Sequence, residues 1–545
     1  MQLKLPGVSS GWGRAVLLMV LSGGVGAAGA QTPSVPSTSD PSIILRPAPT
    51  VPVPVPPAAE RPLLERGPAP EAAAPAAPGL RFRLQSVQTN PSVLLDAEAL
   101  SATWAGQLGQ EISLDDVRTI VARINDLYWA SGHYAAQAVL PPQRIADGVL
   151  RLELIEGRVE RLVTNSDEPA VQALAGQVFG LNPGEVFIGP RLQERLARFN
   201  RGSDTRFYAS LKPGQAPGTT EVGADVELPQ RLELVATAHN EASDSVGRNQ
   251  LELTANARRL LTGADRLGAV VQKSSGLTNL LLLYSLPVNG VGTRVGATFS
   301  SGRTQTVASG LGGLSVDGRS RVVGFNVTHP LPTWRGVDVD LSAGLQRTRT
   351  ETEIDTFSIG ESTTSLRTLA AQGVHRTERF VTSVYLALNQ ATYTTPGAPD
   401  RKVSTRYFSG SWAWLYSTDW WFNVRGGLQR TSETDIPATL KFSLGNPGDV
   451  RGYPSAVVLG DTGQYIVLEA HRRFGDSLDV FAFADNGKVS TTGVADQKLR
   501  SVGLGLSKTW SPRLNATASL ARPLDQVVAD QDSTRFLFRV NWQFY

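Results

Sequence analysis

A single arginine late in the chain is flanked by glycine and proline residues. Arg451 is followed by Gly452 and Tyr453, and the surrounding segment 445–454 holds further glycine and proline residues. A guanidinium group carries its N–H donors in a planar fork, which suits two-point binding of a carboxylate. Glycine and proline are also frequent in surface turns, so a polar turn is the simpler interpretation of this segment alone.

The other residue types that commonly carry chemistry lack the required spacing. Cysteine is absent, which excludes a thiolate nucleophile, a disulfide and a Cys-ligated metal. Glycine-rich stretches near residues 290 and 310 lack the lysine and following helix of a phosphate loop, and there is no nucleophile elbow. The histidines are scattered without ligand-like spacing; they are His133, His239, His329, His375 and His471. We therefore expect no enzyme, no cofactor and no metal site.

The first 79 residues have the composition of an export signal followed by a tether. Residues 1–30 combine a positive start, a short apolar core and a small-residue cleavage site, the pattern of a secretory signal peptide. Residues 31–79 hold 14 of the 34 prolines, so this linker is expected to be extended and to bury no core. Within it, residues 58–65 favour a helical turn that proline interrupts. The net charge of +3 is too small to argue for nucleic acid.

Residues 80–157 predict a small α+β domain. A strand at 80–87 and a helix at 96–108 precede a longer helix, for which Ser113 and Asp116 form a capping box. Apolar residues then recur at helical spacing and predict one buried stripe: Leu114, Val117, Ile120, Val121, Ile124, Leu127 and Tyr128. Two further strands complete the unit.

Residues 158–229 repeat this order. A strand is followed by two helices and then by a closing pair of strands. Two consecutive copies of one supersecondary unit indicate a tandem array.

Residues 230–545 lose the helical period and show many segments of about ten residues in which apolar and polar side chains alternate. The last segment places five apolar residues on one face: Phe536, Phe538, Val540, Trp542 and Phe544. Such alternation fits a soluble sandwich or a membrane barrel whose apolar face meets lipid. The secretory signal and the aromatic residues near strand ends favour the barrel. Allowing ~20 residues for each strand and its connection predicts about 16 strands.

Further details of the predicted barrel follow from composition. Five aromatic residues are assigned to the membrane-interface girdle: Trp412, Trp414, Tyr416, Trp420 and Trp421. The polar segments 241–247, 350–362 and 398–402 are predicted as loops or turns. Asp338 and Asp340 share one strand face by alternation, and a polar lumen would explain them.

With these elements assigned, the chain resembles a known family, the TpsB-type outer-membrane transporters of two-partner secretion (type Vb), within the wider BamA/TpsB superfamily. The resemblance covers residues 80–545. In the first domain it rests on an LP-x-Q, DG and EG succession formed by Leu140, Pro141, Gln143, Asp147, Gly148, Glu156 and Gly157. Asn200 and residues 211–214 fit the second domain more loosely. The family implies a signal peptide, two periplasmic POTRA domains, at 80–157 and 158–229, and a 16-stranded transmembrane barrel at 230–545.

Two barrel motifs are the most specific part of the resemblance. The first is VRGY, and the second is F-x-D-x-G. Their residues are Val450, Arg451, Gly452 and Tyr453 in the first, and Phe483, Asp485 and Gly487 in the second. In the family, the first motif lies at the tip of the sixth extracellular loop, folded back into the lumen, and the second lies on a lumen-facing strand. The resemblance implies an ion pair between Arg451 and Asp485.

The resemblance implies an outer-membrane pore that secretes a partner exoprotein, such as an adhesin or haemolysin, from the periplasm to the cell surface. Its POTRA domains would recognise a client with an N-terminal secretion domain, and outer-membrane lipids would surround the barrel. An outer-membrane protein insertion and assembly factor shares the loop motif and is the alternative. A passive porin is disfavoured because porins need no POTRA domains. Some members carry an N-terminal plug helix, which the proline-rich linker argues against here.

Overall fold

The structure, a computed structural model, describes residues 61–65, 81–306, 316–354, 357–528 and 531–545. The predicted signal peptide and the greater part of the predicted linker lie outside these residues. A helical turn was expected at residues 58–65, but the described part of this segment, residues 61–65, is not helical. Leu64 forms a parallel β-bridge with Ala209, and its side chain is buried.

The first α+β unit contains a three-stranded sheet with a long helix packed on it. Its elements are β1 Arg81–Arg83, β2 Ser86–Thr89, α1 Ala97–Ala102, β3 Glu111–Ser113, α2 Leu114–Ala130, β4 Ala136–Val139 and β5 Val149–Glu156. The single strand predicted at 80–87 is divided, because β1 pairs with β3 whereas β2 pairs with β5. The helix predicted at 96–108 is shorter than expected: α1 ends at Ala102, and a 3-10 turn follows at Ala105–Gln107.

Helix α2 follows the sequence prediction closely. The Ser113 hydroxyl accepts a hydrogen bond from the Asp116 amide, and the Asp116 carboxylate accepts one from the Ser113 amide, so the capping box is present. The predicted stripe faces the sheet, and four of its residues are buried: Val117, Ile120, Ile124 and Tyr128. Burial of this stripe holds the helix on the sheet.

Glu156 at the end of β5 ties three parts of the first unit together. Its carboxylate accepts hydrogen bonds from the Ser92 hydroxyl at 2.5 Å, the Leu94 amide at 3.2 Å and the Tyr128 hydroxyl at 3.1 Å. Burial, with the Glu156 carboxylate alongside, raises the pKa of Tyr128 to about 12. Burial alone would raise the pKa of Glu156, but the hydrogen bonds from Ser92, Val93, Leu94 and Tyr128 hold it below its ordinary value.

We expect Glu156→Gln to loosen residues 92–95 at neutral pH, because an amide accepts these hydrogen bonds less well than a carboxylate. A lowered folded-state pKa gives stability that is complete above the unfolded value of about 4.3. That stability is lost as the pH falls through the folded value. Hydrogen exchange of the intact protein should show lower protection of the Val93 and Leu94 amides in the variant at pH 7, and in the wild type on acidification. Glu153→Gln, on an exposed position of the same strand, is the control; equal protection in all three proteins would contradict the assignment.

The second α+β unit has the predicted order of strand, two helices and two strands. Its elements are β6 Arg158–Thr164, α3 Pro169–Phe179, α4 Gly189–Arg201, β7 Arg206–Pro213 and β8 Thr219–Glu227. Strand β8 lies in the middle of a three-stranded sheet, parallel to β6 and antiparallel to β7. Asn200, one of the family-like positions, bonds to both backbone groups of Phe207 and so joins the end of α4 to β7.

Within the described residues, sixteen antiparallel strands form a closed barrel, in which β26 pairs with β9. These strands are β9 Leu232–His239, β10 Gln250–Arg258, β11 Arg266–Lys273, β12 Leu277–Pro287, β13 Arg294–Gln305, β14 Val316–Pro330, β15 Val337–Ile354, β16 Phe357–Arg376, β17 Phe380–Thr394, β18 Arg401–Leu415, β19 Trp420–Arg430, β22 Thr462–Phe474, β23 Leu478–Ser490, β24 Gln497–Ser511, β25 Leu514–Pro523 and β26 Arg535–Gln543. A separate two-stranded sheet, β20 Phe442–Leu444 and β21 Val458–Gly460, lies in the connection between β19 and β22. The predicted fold class is confirmed.

The alternation along the strands places large apolar side chains on the outside of the barrel. Leu251, Leu345, Phe536 and Trp542 are all exposed. The assignment of Trp421 to the membrane-interface girdle is wrong. Trp421 follows Trp420 directly, so the alternation of side chains along the strand turns it inward. There it stacks on His471, with the ring centroids 3.6 Å apart.

The polar segment 350–362, predicted as a loop or turn, is mostly strand. β15 continues to Ile354 and β16 begins at Phe357, with Thr350 opposite Ser362. The pairing is favoured by β-branched threonines and by an ion pair between Arg349 and Glu361 at 2.8 Å, which join the two strands. Polarity alone therefore does not distinguish a loop from a hairpin that extends beyond an apolar zone.

None of the helices in the described part of the chain is long and apolar enough to cross a membrane.

Candidate functional site

The candidate site is built by the long connection between β19 and β22, residues 431–461, which we call loop six. The loop folds against the inner wall of the barrel. Its hydrophobic centre combines loop residues with Val489 of β23 and Leu499 of β24. The loop residues buried in this centre are Phe442, Leu444, Val450, Tyr453 and Val458. The tip that carries the VRGY motif is therefore held inside the barrel by apolar contacts.

The structure brings Arg451 and Asp485 together as a two-point ion pair. Arg451 Nε donates to Asp485 Oδ2 at 2.9 Å, and Nη2 donates to Oδ1 at 2.7 Å. The Arg451 backbone amide adds a third bond to Oδ2 at 3.0 Å. The side chains are 6% and 0% exposed, respectively, so the pair is shielded from water. A buried charge requires such complete pairing, because an unpaired one would be costly.

Phe483 supports the same guanidinium from another direction. The Arg451 Cζ atom lies 3.5 Å from the centre of the Phe483 ring, a cation–π distance. Phe483 stands two residues before Asp485, so both side chains face the lumen from strand β23. The spacing of the F-x-D motif thus places an aromatic ring and a carboxylate beside one arginine.

Two further charged residues complete the site, and sequence reasoning missed both. Glu469 Oε1 accepts from Arg451 Nη1 at 2.6 Å, and Glu469 Oε2 accepts from Arg425 Nη1 at 2.9 Å. Arg425 also donates through Nε to the Gly448 carbonyl in loop six at 3.0 Å. In the sequence, each of these two residues is only a charged residue on the lumen face of a neighbouring strand. They can be assigned to the site only once the strand register is known. We call Arg425, Arg451, Glu469 and Asp485 the loop-six latch.

The two motif glycines are required by close packing. Gly452 has a φ of 88°, a conformation that other residues rarely adopt, and it lies against the backbone of Ala521 and Pro523. A Cβ on Gly487 would come within 2.7 Å of Leu444 and 2.9 Å of Val450. A larger residue at position 487 would therefore push loop six away from β23.

The remaining motif residues fix the loop backbone. The Tyr453 hydroxyl donates to the Arg500 carbonyl at 2.7 Å and accepts from the Asp525 amide at 3.1 Å, which joins loop six to β24 and to the connection after β25. The neighbouring Asp449 accepts from the backbone amides of Gly445 and Asn446, both at 2.9 Å, and so closes the turn before the motif. All seven predicted residues thus lie in or against one buried contact between loop six and the wall.

A second group of charges joins the second α+β unit to the barrel. Arg201, the last residue of α4, donates to Asp338 at 2.8 Å and to Asp340 at 3.1 Å, and also to the backbone of Leu331 and Val339. Its side chain is 11% exposed. The two aspartates, which the sequence explains only by a polar lumen, thus also bind a cation from the preceding domain. We call this contact the Arg201 junction.

Chemically, both charge groups are suited to holding parts of the molecule together. Two cations and two carboxylates balance each other in the loop-six latch. In the residues that the structure describes, no group of three or more His, Cys, Asp or Glu side chains is arranged to hold a metal ion.

The comparisons with known proteins agree with this architecture. The profile of the family described as haemolysin secretion/activation protein ShlB/FhaC/HecB matches residues 218–508, more than half of the chain, and that of the ShlB-type POTRA domain matches residues 82–157. The chain is 22% identical over 507 residues to the heme/hemopexin transporter protein HuxB of Haemophilus influenzae, covering 84% of this chain and 86% of that protein.

Two solved structures show the same fold. CdiB from Escherichia coli is similar with a TM-score of 0.69 at 18% identity, over 89% of this chain and 94% of that one. BamA from Haemophilus ducreyi lacking POTRA domains 1–3 is similar with a TM-score of 0.53 at 14% identity, over 85% of this chain and 100% of that one. The predicted family and its outer-membrane location, with the POTRA domains on the periplasmic side, are confirmed. The chain belongs to the haemolysin secretion/activation protein family, the TpsB-type outer-membrane transporters of two-partner secretion.

Proposed function

We propose that this chain exports one unfolded partner polypeptide, which carries an N-terminal secretion domain, from the periplasm through the barrel to the cell surface. In this proposal residues 80–157 and 158–229 are the two POTRA domains that recognise the client, and residues 230–545 form the pore. The supporting observation is that α4 of the second unit is bonded through Arg201 to Asp338 and Asp340 at the start of β15, and to the Leu331 carbonyl in the β14–β15 connection. A client held by the POTRA domains would thus be delivered to the barrel opening.

In the same proposal, loop six sets the conformation of the pore. Its motif residues occupy space in the lumen and are held by the loop-six latch, so the resting pore is narrowed. Passage of a polypeptide requires the loop to move. The role of Arg451 and Asp485 is therefore to hold the loop in one defined resting position until a client enters.

The test is export of a candidate partner in a Gram-negative host that lacks such a transporter. The partner should reach the medium or surface only when both its secretion domain and this chain are present. Deletion of residues 81–229 should abolish export, while heat-modifiable migration on gels shows that the barrel is still inserted. Export that persists after this deletion would contradict client recognition by the POTRA domains.

The same cells separate the alternative functions. An assembly factor would instead alter the insertion of unrelated outer-membrane proteins when it is depleted. A passive porin would increase uptake of small solutes without exporting the partner.

A further inference from the structure

A row of arginines lies on the outer surface of the barrel. On β14 the outward face carries the exposed residues Phe325 and Val323, and the next residue on that face is Arg321, which is also exposed. Strands β13, β15 and β16 show the same order, from apolar residues to an exposed arginine. We call these four residues, one on each of four neighbouring strands, the arginine arc. They are Arg303, Arg321, Arg347 and Arg367.

The four arginines lie at one level of the barrel. The Arg201 junction marks the periplasmic end, because the second α+β unit contacts the barrel there. The periplasmic end of β14 is Pro330, and Arg321 is nine residues from it; the other three arginines are nine or ten residues from the corresponding ends of their strands. At ~3.3 Å per residue and a strand tilt of ~40°, this distance corresponds to about 24 Å of height. The apolar band of a membrane barrel is about 25 Å tall, so the arc lies at its outer edge.

The chain itself does not neutralise the arc. Arg303 lies directly opposite Arg319 of β14. Arg321 lies directly opposite Arg349 of β15. Like charges in such positions destabilise a strand pair. Among the residues that the structure describes, the arc arginines form no ion pair, whereas Arg349 is held by Glu361 at 2.8 Å. An anion from outside the chain would offset this repulsion.

The spacing within the arc suits phosphate groups. Arg347 pairs with Val323, so it is a diagonal neighbour of Arg321. Arg367 pairs with Leu345 and is likewise a diagonal neighbour of Arg347. Diagonal neighbours on one face are ~7–8 Å apart, so two of the long arginine side chains can reach one phosphate group between them. Four strands at ~4.8 Å spacing give the arc a width of about 14 Å, enough for two phosphate groups side by side.

The surface next to the arc, on its periplasmic side, is apolar. Phe325, Leu345 and Leu369 are 63%, 60% and 63% exposed, respectively. A free phosphate ion would not cover this surface, whereas the acyl chains of a lipid would. The outward carboxylates of Glu351 and Glu361 lie further from the periplasmic end than the arc does, so a phosphate group at the level of the arc avoids them. A lipid with its phosphates on the arginines and its acyl chains below them fits both parts of the surface.

We propose that the arginine arc binds the phosphorylated glycolipid of the outer leaflet, the lipid A part of lipopolysaccharide. Its two phosphate groups bind the arc, and its acyl chains cover Phe325, Leu345 and Leu369. Arginine suits this role because its planar fork binds a phosphate group through two N–H donors. Bound lipid offsets the repulsion between the opposed arginines and fixes the height of the barrel in the membrane. The inference rests on the outer-membrane location and goes beyond the export function.

The first test measures binding of diphosphoryl lipid A to the full-length protein in a neutral detergent by native mass spectrometry. The arc variant, with Arg321→Gln, Arg347→Gln and Arg367→Gln, should bind this lipid about a hundredfold more weakly than the wild type. Each cation at a charged lipid surface contributes roughly a fivefold factor, and the variant lacks three of them. Equal binding by the arc variant and the wild type would overturn the proposal.

The matched control removes the same charge at the other end of the barrel. Arg335→Gln, Arg379→Gln and Arg513→Gln change three exposed arginines in connections at the periplasmic end. This triple variant should bind diphosphoryl lipid A as the wild type does. Equal weakening in both triple variants would show that only the net charge matters, which would overturn a site at the arc.

Three other probes identify the ligand. Lipid A without its phosphate groups should bind the wild type as weakly as diphosphoryl lipid A binds the arc variant. Cardiolipin should bind more weakly than diphosphoryl lipid A, because a single glycerol joins its two phosphates and they span fewer strands. Inorganic phosphate at millimolar concentration should not displace diphosphoryl lipid A. If the dephosphorylated lipid or cardiolipin binds as tightly, or if inorganic phosphate displaces the lipid, the glycolipid assignment is wrong.

Thermal unfolding separates lipid binding from a purely structural role of the arc. Without added lipid, the arc variant should unfold at the temperature of the wild type or above it, because the substitutions remove like-charge repulsion. Added diphosphoryl lipid A should raise the Tm of the wild type by mass action and leave that of the arc variant nearly unchanged. An equal rise in both proteins would contradict binding at the arc.

A last measurement tests the level of the arc in a lipid bilayer. The chain has no cysteine, so a fluorescent label can be attached through Ser365→Cys or Leu369→Cys, two residues on either side of Arg367 on the outward face of β16. Brominated acyl chains should quench the label at position 369, and aqueous iodide should quench the label at position 365. Quenching of both labels by iodide would place the arc in water and overturn the proposal.

Discussion

Arg451→Ala is expected to remove most of the export activity while leaving the barrel folded in the outer membrane. The substitution deletes the three hydrogen bonds from the guanidinium group to Asp485 and Glu469. Only the bond from the backbone amide of position 451 to Asp485 remains possible. The substitution also leaves two buried carboxylates, Glu469 and Asp485, close together on neighbouring strands, and the remaining arginine of the latch, Arg425, is bonded to Glu469. We therefore expect loop six to leave its position against the inner wall of the barrel.

The expected size of this effect follows from the burial of the Arg451–Asp485 ion pair. Removing one partner of a buried ion pair typically costs about 3–5 kcal/mol, which corresponds to roughly a hundredfold or larger shift between the seated and released loop. The strand ladder does not depend on this side chain, so heat-modifiable migration should be unchanged. Export of the partner and protease sensitivity of loop six are the readouts. The control is Arg430→Ala, an exposed arginine at the end of β19 that bonds to Gln464 instead. Normal export by the Arg451→Ala variant would contradict a role of the loop-six latch in export.

Exchange of the two charges gives a more discriminating result than the single variant. Arg451→Asp combined with Asp485→Arg restores an opposite pair, but the new carboxylate at position 451 would lie beside Glu469. We therefore expect the double variant to recover only part of the export and the triple variant with Glu469→Gln to recover more. Recovery that is complete in the double variant would show that Glu469 has no part in holding the loop.

The sequence predicts the parts of this molecule that depend on local pattern. The capping box at Ser113, the buried face of α2 and the alternation of the barrel strands each arise from residues within a few positions of one another. The motif positions around Arg451 and Asp485 were found by resemblance, and the structure brings them into contact.

The sequence is least informative where a contact depends on strand register or on distant parts of the chain. Glu469 can be assigned to the loop-six latch only when it is known to lie opposite Phe483 on the neighbouring strand. Arg201 and Asp338 are 137 residues apart, and their pairing needs the second domain to be seated on the barrel. Leu64 lies in a segment whose proline content predicts an extended chain, but composition cannot show that its residues 61–65 reach the edge of a sheet.

Arg201→Glu is expected to cause a second large loss of export, by separating the POTRA domains from the pore. The wild-type guanidinium sits at the C-terminal end of α4, where a cation is favoured by the helix dipole, and it contacts two aspartates and two backbone carbonyls of the β14–β15 region. A glutamate there would repel Asp338 and Asp340 and lose the backbone contacts. Loss of a largely buried charge partner of this kind costs about 3–5 kcal/mol, enough to release the junction in most molecules.

The readouts are export of the partner and cross-linking between α4 and the β14–β15 connection through introduced cysteines, since the chain has none of its own. Arg191→Glu, on an exposed position of the same helix, makes the same charge change away from the barrel contact and should export normally. Adding Asp338→Arg and Asp340→Arg to Arg201→Glu should restore part of both readouts by reversing the charges of the junction. If cross-linking is lost but export continues, client delivery does not require a fixed junction, and the domains act as a flexible receptor beside the pore.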